Sequence, residues 1–335
     1  MTTSSSSSSS KKVNIDDAID WLAVQRKYPD RQSAKVVEYG ELVIESSNIA
    51  NKLGDEQWSF LEQVALASLD VGNLDLAGLC IARLDTRFPD SARAAALQGM
   101  LLEARGEYEK AFNLYDMLLS KDESNQIIVK RLVSVLKCME QKDGISGPAA
   151  AIQSLNKYLD TYYNDAEAWQ ELASLYLSQN LYSQAAFALE ELILLAPSNT
   201  FFVLQYAEVL ATMDDLPLAY KQYLRVLEMC GTEALEVDSQ HPNRQGPWAR
   251  ALWGLKSVTT KLIQRQRQTI SSTQKGAAGK GSNNAKSTTS IGDEKVEKVE
   301  AVDAMVTDLL LNKAYAGANP GLKATRDAAR KVLSA

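Results

Sequence analysis

Alanine returns in this chain at a fixed interval of about 34 residues. Ala77 and Ala111 stand one interval apart, and so do Ala151, Ala185 and Ala219. A second series keeps step with the first: Ala65, Gly99, Ala173 and Ala207, with Val133 as its one larger member. A period of this length holds two helices and their turns. Two helices cross closely only where small side chains meet. The clearest unit runs from Ala166 to Asn199. Trp169, Leu172, Ala173 and Tyr176 share one face of its first helix, and Ala185, Leu189 and Leu192 share one face of its second. Pro197 closes the unit, because proline cannot continue a helix interior. Units on this register begin at Trp58, Ala92, Gln126, Ala166 and Thr200. The Gln126 unit is longer than the period. Its surplus lies in the turn QKDGISGP, where Gly144, Gly147 and Pro148 interrupt the helix.

The order Trp, Leu, small residue, Tyr, then Ala, a large apolar residue and Pro resembles the tetratricopeptide signature. The expected fold is therefore all-α: a tetratricopeptide-repeat solenoid, a right-handed superhelix of antiparallel helix pairs. Residues 1–13 form a serine-rich tail that has nothing to bury and is expected to be disordered. Residues 14–57 carry helices that do not fit a full repeat and are expected to cap the array. Five repeats fill 58–233. Residues 234–335 read as a degenerate repeat and further helices, in which Gly254 again takes the small-residue position. The stretch 269–292, rich in Ser, Thr, Gly, Lys and Asn, is expected to be a flexible insertion. Helical pattern resumes at Asp293, and Pro320 separates it from a last short helix, Leu322 to Leu333.

Charge and composition exclude several functions. Lys and Arg number 36 against 42 Asp and Glu, a net charge of -6. That balance argues against nucleic acid, which calls for a clustered basic face. The 3 cysteines, Cys80, Cys138 and Cys230, form no close pair and fit small apolar residues kept reduced in a cytosolic protein. The most apolar run, Ala185 to Ala196, contains Glu190 and Glu191 and is far shorter than the ~20 residues a membrane span needs. The N-terminus has no apolar core after its basic residues, so no secretory signal is expected.

No catalytic, cofactor-binding or metal-binding set emerges. His241, the single histidine, lies in a polar loop with no converging partners. Glu190 and Glu191 are neighbours on a helix and point in different directions. No phosphate-binding glycine loop is present. Tyr115, Tyr158, Trp169, Tyr176, Tyr206 and Tyr223 occupy core positions of the repeats, where packing between helices explains them. The expected site is instead a partner-binding groove on the concave face, lined by the first helix of each repeat: Arg93, Met100, Lys130, Lys137, Gln170, Phe201 and Leu204, with Ser134, Leu177 and Glu208 beside them. Phe201 and Leu204 are the expected apolar anchors. Co-chaperones of this repeat class hold acidic C-termini with a lysine followed by asparagine. Here Lys130 is followed by Ser134, and Glu62, Ala96, Gln170 and Leu204 stand at the lysine position elsewhere, so that clamp is absent.

Several segments resemble one family in particular, subunit 2 of the endoplasmic reticulum (ER) membrane protein complex. They are KLGDEQW at Lys52, RFPDS at Arg87, GEYEKAFNLYD at Gly106, the AEAWQELASLYLSQNLYSQAAFALEELILLAPSN run, QYAEV at Gln205 and RALWGL at Arg250. The resemblance implies a non-catalytic cytosolic scaffold without cofactors, not a homo-oligomer. It would sit peripherally on the cytoplasmic side of the ER membrane through membrane-embedded and soluble partner subunits, in a complex that inserts tail-anchored and multi-pass proteins. A different tetratricopeptide adaptor, a co-chaperone or an auxiliary subunit of a cytosolic modifying enzyme, is the other reading of the same repeats.

Overall fold

The computed structural model describes residues 14–28, 30–46, 52–139, 147–231, 247–277, 298–314 and 320–334. Among these there is no strand. The helices are α1 (Ile15–Gln25), α2 (Ser33–Glu45), α3 (Gln57–Val71), α4 (Leu74–Arg87), α5 (Ala92–Ala104), α6 (Tyr108–Lys121), α7 (Gln126–Cys138), α8 (Pro148–Thr161), α9 (Ala166–Ser178), α10 (Tyr182–Leu195), α11 (Thr200–Thr212), α12 (Leu216–Cys230) and α13 (Pro247–Ala277). Then come α14, residues 298–309 passing into a π-helical turn at Leu310–Ala314, and α15 (Pro320–Ser334). The architecture is an all-α array of tetratricopeptide-type helix pairs.

The helix boundaries have local causes. The turn inside a pair needs one residue in the left-handed region. Gly72 (φ 84), Gly106 (φ 76), Asn180 (φ 58) and Asp214 (φ 70) supply it at equivalent places in four units. Glycine accepts that region freely, and Asn and Asp accept it better than other residues do. The first helix of the next unit starts on a capping side chain. Ser91, Asn125, Asp165 and Asn199 each accept a backbone N–H from the first turn of α5, α7, α9 and α11 respectively. Each such cap is worth about 1 kcal/mol.

The chain divides into two compact units, Met1–Tyr158 and Leu159–Ala335, with the boundary inside α8. In the first, α2 packs on α3, and successive helices pack in order through α7. Phe60, Val64, Ala65, Ala77, Cys80 and Leu97 join Leu22, Val36 and Val43 of the first two helices in one core cluster. Tyr115, Ala111, Ile128 and Val135 form another. Gly40 lets α2 approach α3, since a Cβ there would lie 2.7 Å from a methyl of Val64. In the second unit one cluster runs from Ala173 through Leu189, Val203, Ala207, Ala219 and Tyr223 to Leu252, Val306 and Leu310.

The alanine series lies at the deepest level of both units: Ala77, Ala111, Ala151, Ala185 and Ala219 are all 0% exposed. The glycines of the second series are equally constrained. A Cβ on Gly99 would sit 2.3 Å from the Tyr115 ring, and one on Gly254 would sit 2.3 Å from the Tyr223 ring. Two stretches differ from the sequence expectation. α13 runs through Ala277, into the segment read as a flexible insertion, because extending an existing helix costs far less than starting one. Pro320 does not merely end a helix; it occupies the first turn of α15, where its missing N–H has no partner to lose. The serine-rich start, the loop around His241 and residues 278–297 lie outside the described residues.

Candidate partner-binding surface

The residues singled out by the register lie on first helices in each of the two units. Arg93, in the first turn of α5, is exposed and donates from Nε to Glu62 Oε1 of α3 at 2.5 Å. Met100 is half-buried against the first unit's core. Lys130 and Lys137 stand two turns apart on α7, so they share a side of it, and both are already engaged in polar or electrostatic interactions. In the second unit Gln170 is exposed on α9. Phe201 is 54% exposed at the start of α11, a large ring left open to solvent.

Leu204 corrects the sequence reading. It is 0% exposed and belongs to the core, so it is not a groove anchor. α11 (TFFVLQYAEVLAT) contacts α10, α12 and α13, and it buries Val203, Leu204, Tyr206, Ala207, Val209 and Leu210. A helix covered on that much of its circumference has no outward apolar stripe. Equivalent repeat positions differ in burial because each helix has its own set of neighbours.

The structure adds a feature that the sequence reading missed. Carboxylates on one first helix pair with arginines on the next: Glu62 with Arg93, Glu103 with Arg131, and Glu208 with Arg250. The Glu208–Arg250 pair is bidentate, with both bonds at 2.7 Å. In each pair the arginine is the more exposed partner and the carboxylate is less than a third exposed. The two pairs with the most open arginines, Glu62–Arg93 and Glu208–Arg250, contribute about 0–1 kcal/mol each. Arg93 and Arg250 are thus each paired with a carboxylate of the preceding first helix. An acid followed one repeat later by an arginine was the available signal.

Two tyrosines sit on carboxylates of neighbouring helices. Tyr115 Oη donates to Glu103 Oε1 at 2.5 Å, and Tyr206 Oη donates to Glu190 Oε1. Burial, reinforced by the adjacent carboxylate, raises both phenols well above the usual tyrosine range. Both therefore stay neutral donors that tie one helix to another. Glu190 is thus committed to Tyr206 and forms no pair with Glu191. Trp169 donates its indole N–H to the carbonyl of Tyr163 at 2.8 Å and meets Phe187 edge to face at 6.2 Å.

Burial pushes the Cys80 thiol up to about 11, away from the thiolate that a nucleophile needs at neutral pH. Among the described residues, no group of three or more His, Cys, Asp or Glu side chains is placed to hold a metal ion. No described helix is long and apolar enough to cross a membrane.

The chain is similar to several known proteins. A family model described as "EMC2 TPR-like repeat domain" matches residues 84–233. ER membrane protein complex subunit 2 of Xenopus tropicalis is 38% identical over 220 residues, covering 65% of this chain and 71% of that protein. The TPR repeat protein oca3 of Schizosaccharomyces pombe is 35% identical over 216 residues, covering 61% and 72%. ER membrane protein complex subunit 2 of Dictyostelium discoideum is 34% identical over 185 residues, covering 55% of each chain. Identity at this level, over most of the length of the Xenopus relative and across the same helical repeats, sets the family: the chain belongs to the tetratricopeptide-repeat family of ER membrane protein complex subunit 2.

Proposed function

We propose that this chain is a non-catalytic scaffold subunit of an ER membrane protein complex. It sits on the cytoplasmic side of the membrane and is held there by membrane-embedded and soluble partner subunits. The complex it serves inserts tail-anchored and multi-pass proteins. The observation that carries this reading is the 38% identity to relatives named as subunit 2 of that complex. The repeat architecture supports it, since the helix pairs of each unit stack and offer surface for other chains. So does the side-chain chemistry, which offers an exposed ring at Phe201 and exposed arginines on first helices. Lys130, Lys137, Gln170 and Phe201 are the proposed contact residues of the first-helix face, with the chain present as one copy among unlike partners.

The test is affinity purification of the tagged full chain from detergent-solubilised ER membranes. The expected result is a membrane pellet before detergent and recovery of membrane-embedded partners after it. A chain that stays in the soluble fraction and brings down no membrane protein would overturn the reading in favour of a free tetratricopeptide adaptor.

A further inference from the structure

One side of α10 is left uncovered. The helix packs against α9 and α11 and buries Ala185, Ala186, Ala188, Leu189, Leu192 and Ile193. On its remaining side Phe187 is 56% exposed and Leu194 is 74% exposed. Seven residues apart, the two stand one above the other, about 10 Å apart along the helix. Trp169 ties further aromatic surface to this stripe. Its ring meets Phe187 edge to face, and its indole N–H is held by the carbonyl of Tyr163, a residue itself 65% exposed. Single apolar residues scattered on a surface call for no partner, whereas a joined group of large ones marks an interaction site.

The charge around the stripe has one sign. From Tyr158 to Tyr220 the chain holds nine aspartates and glutamates and no lysine or arginine, while the rest of it is close to balanced. That stretch contains the whole of α9, α10 and α11, so neither α10 nor the two helices packed on it supply a cation. Lys221 and Arg225, the next cations along the chain, are on α12, which packs against α11 and α13. On α10 itself, Glu190 and Glu191 fall on either side of the line from Phe187 to Leu194. Glu190 accepts the hydroxyl of a neutral tyrosine, Tyr206, which leaves its charge in place. The Glu191 side chain makes no ion pair among the described residues.

Shape and charge together select an occupant. A stripe on a single helix, with its apolar residues one heptad apart, matches the seam of a second helix. Carboxylates along both edges match lysine or arginine beside that seam. A second copy of the chain would bring the same carboxylates face to face, and an anionic lipid surface would meet them with its own negative charge, so both are disfavoured.

We propose that the open face of α10 docks a basic amphipathic helix of a partner protein. The apolar side chains of that helix cover Phe187 and Leu194, and its lysines or arginines meet Glu190 and Glu191. That the occupant is a partner subunit rests on the scaffold reading above; the chemistry of the face does not depend on it.

The experiment uses the full chain labelled with nitrogen-15 at tryptophan, with the Trp169 indole signal assigned from Trp169→Phe. The probe is an acetylated helical peptide with leucines at heptad spacing flanked by lysines. It is expected to shift the Trp169 indole signal saturably. Phe187→Ala with Leu194→Ala, at positions open to solvent, is expected to melt close to the wild-type temperature. It should weaken binding about tenfold or more, the effect of losing two apolar side chains from the contact. Glu191→Lys is expected to weaken binding most at low salt. No shift at millimolar probe, equal binding of a glutamate-flanked probe, equal binding of a scrambled probe of the same composition, or full binding by the double variant would each overturn the proposal. Recovery of every partner by the double variant from detergent extract would overturn its role in assembly. A wild-type chain that binds the probe yet recovers no membrane partner would sink the scaffold reading and leave the docking face standing.

Discussion

The two ends of the described repeats are closed by different chemistry. At the first, α1 and α2 cover α3 with an apolar face, and ion pairs ring its edge. Arg31 bonds Asp70 through two nitrogens at 2.8 and 2.7 Å, Arg26 reaches Glu56, and Lys52 reaches Asp16. Each of these pairs has at least one side chain more than a third exposed. In the second unit, α14 docks on α13 through a polar clasp set among buried residues. Lys256 Nζ donates to Asp303 Oδ2 at 2.6 Å and to Thr307 Oγ1 at 2.9 Å, and Thr259, itself 0% exposed, donates to Asp303 Oδ1 at 2.6 Å. The Lys256 and Asp303 side chains are only 18% and 20% exposed. An exposed pair trims the edge of an interface that packing already fixes. A buried one selects a register, because any shift strands a desolvated charge.

The sharpest way to break the comparison is Asp303→Ala. It takes the counter-charge from the half-buried Lys256 ammonium, leaving it only Thr307 Oγ1, leaves the Thr259 hydroxyl only the Lys256 carbonyl, and is expected to cost about 3 kcal/mol in urea unfolding. Amide exchange near Val306 and Leu310 should rise first, before the rest of the second unit. The double change Lys256→Met with Asp303→Leu removes both charges and is expected to restore stability to within about 1 kcal/mol. A double variant as unstable as the single one would show that the clasp acts through packing alone.

The close approaches give the next largest effects. Gly254→Ala drives a Cβ into the Tyr223 ring, which is held on all sides, and is expected to cost about 2–3 kcal/mol. Gly40→Ala meets only the Val64 methyl groups at the other end, and about 1 kcal/mol is expected. Thermal melts of the two variants check the order, and a reversed order would mean that the α2–α3 packing is the stiffer of the two.

Alkaline pH tests the buried tyrosines, of which Tyr223 meets the close crossing at Gly254. Burial, with Glu208 adding to it and Arg250 opposing it, pushes the Tyr223 phenol up to about 12. The unfolded chain releases that proton near pH 10. The stability Tyr223 contributes is therefore complete below about pH 10 and is lost as pH rises towards 12. Tyr223→Phe is expected to flatten the fall in melting temperature over that window and to leave its neutral value much less affected. At the exposed end, Arg31→Ala is expected to cost less than about 1 kcal/mol, and that loss should shrink further in high salt.

Much of the array was legible in the sequence because the signals are local and periodic. The alanine series marks the crossings, and Ser91, Asn125, Asp165 and Asn199, of residue types that favour helix starts, stand just before the first helices. The site was less legible. Phe201 and Leu204 look alike in a sequence, three residues apart in an apolar helix. One is open to solvent and the other is sealed in the core.

The sequence by itself determined the class of fold, the helix pairs and the places where they cross. Those depend on side-chain volume and backbone preference, which act over a few residues and recur with the period. Only the tertiary structure decided which face of each helix remains open, which arginines are already paired, and how α14 is clasped to α13. Those outcomes depend on contacts between residues far apart in the chain, such as Lys256 and Asp303, across a segment that carries no periodic signal. Burial is a property of the whole packed neighbourhood, and no single repeat contains it.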